Sequence, residues 1–188
     1  MSIELRKYFE KITPLTDQEF EYILSHFTTK RIKKHQFLVQ QGDPVNQEYF
    51  ILSGLLKAYY TNADDGKEHI IQFGWENMWI TDYEAYFNQC KANLNIDCVE
   101  DVELLCLSIY SKEKICADLH KMEHFFRQSS NKEYIILQRR ILSLLMNSAK
   151  KRYEKMLTCY PTLFQRVPKT LIASYLGVSR ETLSRIYK

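Results

Sequence analysis

Pro168-Lys-Thr-Leu-Ile-Ala-Ser-Tyr-Leu-Gly-Val-Ser-Arg-Glu-Thr-Leu-Ser-Arg-Ile-Tyr-Lys188 decides the reading of this chain. The stretch predicts two short helices joined by a tight turn. Pro168 suits the first turn of a helix, where its missing N–H costs nothing. Leu171, Ile172, Tyr175 and Leu176 form an apolar face at helical spacing. Ala173 is small enough for a second helix to pack close. Gly177 falls where the chain must turn and accepts positive φ without strain. Ser179 can cap the next helix by accepting from a free N–H. In that helix Leu183 and Ile186 face a core, while Arg180, Glu181, Ser184, Arg185 and Lys188 share the other side. Such a helix can lay Arg and Glu along base edges in a major groove.

Residues 177–186, Gly-Val-Ser-Arg-Glu-Thr-Leu-Ser-Arg-Ile, resemble the start of the recognition helix in the Crp/Fnr family of bacterial regulators. The resemblance implies that Arg180 and Arg185 read guanines bidentately and that Glu181 accepts from a cytosine amino group. It implies phosphate contacts for Lys169, Ser179 and Thr182, with Thr170, Ser184 and Lys188 also expected among the DNA-binding residues. Double-stranded DNA is the expected partner. Members of this family usually continue into a β-hairpin wing. The sequence ends at Lys188, so a wingless short form with weaker non-specific affinity is expected.

Charge is distributed in keeping with this. Net charge is +3, yet residues 1–120 carry 12 Lys+Arg against 19 Asp+Glu and residues 121–188 carry 14 against 4. An acidic front and a basic rear suit a sensing part attached to a nucleic-acid reader. The 188 residues, 45% of them hydrophobic, can build a real core. The five cysteines, at 90, 98, 106, 116 and 159, form no C-x-x-C pair. This fits a reduced, cytoplasmic setting, with Cys98 and Cys106 as buried thiols in strands. The N-terminal cysteine cluster of iron–sulfur relatives is missing. No signal peptide, membrane span, nucleophile elbow, phosphate loop or metal spacing is visible, so neither an enzyme nor a cofactor is expected. His69 reads as a structural residue, and His120 and His124 lack a third ligand nearby.

Toward the N-terminus, Ile3, Leu5, Tyr8, Phe9 and Ile12 repeat at helical spacing, and Thr16 with Glu19 forms a capping box. Short strand-like runs follow at 37–39, 49–52, 55–60, 68–73, 94–99 and 103–109, separated by turn signals. This spacing predicts a β-roll or jelly-roll sandwich. Gln41-Gly42-Asp43, Tyr49-Phe-Ile-Leu-Ser-Gly54 and Asp65-Gly-Lys-Glu68 resemble, in this order, the cyclic-nucleotide-binding fold. The whole is therefore α+β: a sensor unit at 1–120, a connecting and dimerising helix at 121–138, and an all-α helix-turn-helix unit at 139–188.

The family's cyclic-AMP binders carry Gly-Glu-Leu and then Arg-Ser in a phosphate cassette. Here those slots hold Thr81-Asp82-Tyr83 and Ala92-Asn93. The phosphate-pairing Arg is missing, and Lys91 can replace it only as a point charge. Cyclic AMP is therefore not expected as a tight ligand. Phe73, Trp79, Asp82, Tyr83, Asn93 and Phe125 surround the expected pocket. They either line an apolar effector site or fill a pocket that binds nothing.

A long helix is expected from about Met122, after a short one at 111–119. Its seam, read as Phe125, Phe126, Ser129, Glu133, Ile136, Leu137 and Arg140, would pair two copies in a homodimer; the alternative is an amphipathic helix lying on its own β-roll. A hinge is expected near Glu133–Gln138. A further helix would then run from Arg140 through Lys155, with Lys150, Lys151 and Arg152 facing phosphate or simply solvent. RNA polymerase is a partner only if the protein activates transcription. The rival reading is a binding module whose helical tail mediates protein contacts.

Overall fold

The computed structural model describes residues 2–186. Helices α1 (Ser2–Glu10) and α2 (Asp17–Leu24) come first. The Thr16 hydroxyl accepts from the Glu19 N–H at 3.3 Å, and the Glu19 carboxylate accepts from the Thr16 N–H at 2.8 Å. That reciprocal box satisfies donors the helix start would otherwise leave open.

Strands β1 (Phe27–Ile32), β2 (Phe37–Val39), β3 (Gln47–Ser53), β4 (Leu56–Thr61), β5 (Glu68–Gly74) and β6 (Trp79–Ile80) follow. Helix α3 (Tyr83–Asn88) precedes β7 (Asn95–Cys98) and β8 (Val102–Ser108). The strands form two four-stranded antiparallel sheets, ordered β1-β8-β3-β6 and β2-β7-β4-β5. Strand alternation decides where the cores lie. In β8, Leu104 and Cys106 point between the sheets, while Leu105 and Leu107 point out under the N-terminal helices. In β3, Tyr49 and Ile51 point inward and Phe50 outward. Gly54, at φ +96°, makes the turn into β4; a Cβ there would lie 2.3 Å from the Asp101 carbonyl oxygen, so only glycine fits.

Six helices complete the described chain: α4 (Ile109–Asp118), α5 (His120–Met146), α6 (Ala149–Cys159), α7 (Leu163–Arg166), α8 (Lys169–Leu176) and α9 (Arg180–Ile186). The start of α5 packs Met122, Phe125 and Phe126 over the first sheet. The second sheet is covered differently. Leu55, Tyr59, Ile70 and Phe73 share one core with Met156, Leu163, Ile172, Leu176 and Leu183 of the last four helices.

Two expectations are corrected here. No hinge interrupts residues 133–138, and no new helix starts at Arg140. A single α5 runs 27 residues to Met146, because no Gly or Pro breaks it. The break falls at Asn147–Ser148, where Asn147 is extended and the Ser148 hydroxyl accepts from the Lys151 N–H to start α6. The expected seam is exposed only in part: Ile136 and Leu137 face solvent. Phe125 and Phe126 belong to the chain's own core, and Arg140 turns inward. The exposed apolar stripe instead runs through Tyr134, Leu137, Ile141 and Leu145, with Leu142 beside it.

Candidate nucleic-acid interface and adjoining cavity

Helices α8 and α9 meet as the sequence predicts. Gly177 sits at φ +68°, and its N–H donates to Ser174 O, while the Val178 N–H donates to Ala173 O. The paired bonds close the C-terminus of α8. A Cβ on Gly177 would meet Leu144 at an ordinary 3.8 Å, so backbone conformation alone demands glycine. Pro168 stands one position earlier than expected: it is the N-cap residue of α8, and its carbonyl accepts from Leu171 and Ile172. The Ser179 hydroxyl caps α9 by accepting from the Thr182 N–H at 3.2 Å.

The two sides of α9 differ sharply. Leu183 is buried against Ile172, Ala173 and Leu176 of α8. Arg180, Glu181, Ser184 and Arg185 are exposed, as are Lys169, Thr170 and Ser179; Thr182 is half-buried. Lys188 lies outside the described residues. Neither Arg180 nor Arg185 forms an ion pair among the described residues. Their guanidinium forks are free to take bidentate acceptors. Backbone and Ser179 hydrogen bonds, with Arg180 and Arg185 nearby, hold the Glu181 carboxyl below its ordinary range. It is therefore an ionised acceptor at neutral pH.

The helical unit is anchored on the second sheet. Arg166 donates to both Glu76 oxygens at 2.9 Å and to Glu100 at 3.0 and 2.6 Å. The Ser174 hydroxyl donates to Glu68 O and accepts from the Ile70 N–H. Burial pushes the Glu76 carboxyl up, but hydrogen bonds from Arg166 and from backbone N–H groups, Gly54 among them, bring it below its ordinary range. Lys150 and Lys151 are exposed. Arg152 is no phosphate contact: it donates to Leu176 O at 3.0 and 2.8 Å and to Asn147 O at 2.7 Å.

A cavity of about 300 Å³ opens between the first sheet and the middle of α5. The six residues expected around a pocket do not converge on it. Trp79 and Tyr83 line it. Phe125 lies in the core below, 4.7 Å from Phe9 between ring centres. Phe73 packs 5.2 Å from Tyr175 in the core shared with the C-terminal helices. Asp82 and Asn93 pair with each other instead. The buried Asp82 carboxylate accepts from the N–H groups of Ala85 at 3.2 Å, Asn93 at 2.8 Å and Leu94 at 3.0 Å. The start of α3 and the loop beneath it would otherwise offer these donors to an anion. The protein's own carboxylate occupies them. Lys91 is exposed and lies outside the cavity lining.

Sequence reasoning missed the ion pair in the cavity wall. Lys112 Nζ lies 2.9 Å from Glu48 Oε1, with side chains 12% and 4% exposed, and 4.4 Å above the Phe126 ring. Burial pushes the Glu48 carboxyl up, against the pull of Lys112. The available signal was a charge directly before the apolar run Tyr49-Phe-Ile51, but its partner is 64 positions away in sequence.

Among the described residues, no three His, Cys, Asp or Glu side chains gather to hold a metal ion, and no helix is long and apolar enough to cross a membrane. Residues 29–118 match the cyclic nucleotide-binding domain family. Across most of the chain the fold matches several solved structures. FixK2 of Bradyrhizobium japonicum aligns with TM-score 0.74 at 17% identity, over 86% of this chain and 82% of that one. The c-di-GMP-responsive global regulator CLP of Xanthomonas campestris aligns with TM-score 0.70 at 16% identity, over 91% and 89%. A candidate regulator of the crp/fnr family from Eubacterium rectale aligns with TM-score 0.69 at 17% identity, over 92% and 82%. No curated protein matches by sequence.

Proposed function

We propose that this chain, a cyclic nucleotide-binding domain joined to a helix-turn-helix in the fold of the Crp/Fnr regulators, is itself a dimeric transcription regulator that binds DNA sequence-specifically. The observation that carries this reading is the two-sided α9. Leu183 fixes the helix, while Arg180, Glu181, Ser184 and Arg185 stand together on a free face. That set can read guanine and cytosine edges in a major groove, with Lys169, Thr170, Ser179 and Thr182 placed for phosphates.

One recognition helix buries too little surface for specific binding. The exposed stripe of Tyr134, Leu137, Ile141 and Leu145 supplies a means of pairing two copies. A two-fold dimer would present two α9 helices to half-sites about 34 Å apart. The effector is not a cyclic nucleotide in this reading. Its phosphate would compete with Asp82 for the same N–H donors, with no Arg to neutralise it. The α5-side cavity is the place for another effector in this reading. RNA polymerase is the further partner that an activating role would require.

The test is selection of genomic fragments by the purified protein at fixed salt, followed by sequencing. A two-fold-symmetric site with guanines in each half is expected. Arg180→Ala and Arg185→Ala should each cost about 1–3 kcal/mol and relax preference at one position per half-site. Unchanged binding in both variants would move the function to protein contacts by the helical tail.

A further inference from the structure

We propose that the cleft where α5, α6 and α8 meet binds a small polyanion carrying phosphate or carboxylate groups. The cleft encloses about 240 Å³, just under the usual size of a small-molecule pocket. Four cationic side chains line it: Arg139 and Arg140 from α5, Arg152 and Lys155 from α6. No Asp or Glu lines it. Among the described residues, none of the four forms an ion pair.

What the cations do touch is neutral. Arg140 donates to the carbonyls of Ile70 and Tyr175, both at 3.0 Å, and lies 3.6 Å over the Tyr175 ring. Arg152 donates to the carbonyls of Leu176 and Asn147. Tyr175 and Leu176 end α8, and Asn147 follows α5, so the two guanidinium groups cap helix C-termini. Each such terminus offsets about half a charge. Most of the four positive charges remain uncompensated in an apolar-walled cleft. Burial, with Arg152 adding repulsion, draws the Arg140 guanidinium below its ordinary range. Like charges held together in this way favour an anion over any neutral occupant.

The division of labour is legible in the side chains. Arg140 and Arg152 are tied to backbone and shape the cleft. Arg139 and Lys155 are exposed at its rim, on two different helices, with no ion-pair partner among the described residues to give up. Arg139 also stands on the flank of α5 roughly opposite Tyr134, Ile141 and Leu145, so the apolar stripe does not cover it. An anion bridging Arg139 and Lys155 would lock α6, and through Arg152 also α8, to α5. Read with the proposed DNA binding, that makes the occupant a regulator of the orientation of α9. The binding claim itself does not need DNA.

The probes are inorganic pyrophosphate and citrate, titrated calorimetrically into the full chain at constant ionic strength without DNA. Saturable heat at one site per chain is expected from at least one probe. Arg139→Gln/Lys155→Gln should weaken it about 100-fold, through loss of two charge-assisted contacts, and leave the anion-free melting temperature unchanged. Arg139→Gln alone, at an exposed site, should give an intermediate loss. No saturable heat from either probe, or equal affinity in the double variant, overturns the proposal. So does loss of DNA affinity by the double variant in anion-free buffer, which would make these side chains contacts to backbone phosphate.

Discussion

Replacing Ile141 and Leu145 together by Ala should separate the proposed dimer while leaving each chain folded. Leu145 is 78% exposed in the single chain and Ile141 49% exposed, so that fraction of each side chain is available for burial against a second copy. Each substitution removes three carbons, worth about 0.8 kcal/mol apiece when buried. Scaled by the free fraction, the pair is worth about 3 kcal/mol per chain and about 6 kcal/mol per two-fold dimer. That is a weakening of the dimer by about 10⁴-fold. Sedimentation equilibrium across the micromolar range measures it directly. Tyr110→Ala, at a position 77% exposed on α4, removes a larger apolar group away from the stripe and should change nothing. Equal dissociation constants for wild type and I141A/L145A would refute the assignment of the seam. A wild type that is monomeric at tens of micromolar would refute dimerisation through α5 altogether.

Arg166→Ala should loosen the helical unit from the second sheet and cost about 1–2 kcal/mol in chemical denaturation, since the network is only partly shielded from water. The Glu76 carboxyl is lower in the folded chain than its ordinary 4.5, so its contribution is complete above about that pH and is lost as pH falls through the folded value. Wild type should therefore lose stability on acidification below pH 4.5 more steeply than the variant, and parallel profiles would contradict the assignment. Glu48→Gln strands Lys112 without its counter-charge and should cost about 3–5 kcal/mol, whereas Glu48→Gln/Lys112→Met should recover most of that loss. A double variant as unstable as the single would mean that Lys112 needs no counter-ion. Calorimetric titration with cyclic AMP should give no saturable heat, and a clear micromolar isotherm would show that Asp82 yields its N–H donors.

Local chemistry was readable wherever neighbouring residues settle it. The Thr16–Glu19 box, the Gly177 turn and the Ser179 cap each need only a few adjacent positions. The short apolar runs around Tyr49–Leu52 and Leu104–Leu107, spaced by turn signals, announced a sandwich. Strand β1 escaped because it is an edge strand with Thr28, Thr29, Lys30 and Arg31 exposed, so it lacks the apolar alternation that marks a buried strand. The break in the long helix was misplaced because apolar and polar residues alternate unevenly around residue 136, which imitates an interruption. The real signal, a Ser cap at 148, is two residues past the last apolar position. The seam was misread for a related reason. A helix that packs on its own domain at one end and leaves apolar residues exposed at the other has two apolar faces, and sequence periodicity superimposes them. Long-range pairs were beyond reach in principle. Nothing local joins Asp82 to the N–H groups of Asn93 and Leu94, Glu48 to Lys112, or Arg166 to Glu76.

The uninterrupted α5 gives the molecule a lever. Its 27 residues span about 40 Å. Its first turns are clamped in the aromatic core by Phe125 and Phe126, its middle borders the cavity, and Arg140 near its far end grips the last turn of α8. With the pivot at the clamped end, a tilt of about 5° moves the far end by about 3.5 Å, close to the 3.4 Å rise along the DNA axis per base pair. A side chain pushing the middle of the rod by about 1.7 Å would thus appear, at the other end, as a shift about twice as large, the size of one base-pair step. Stiffness, rather than a flexible joint, would then set how faithfully occupancy of the cavity is reported to the helix-turn-helix.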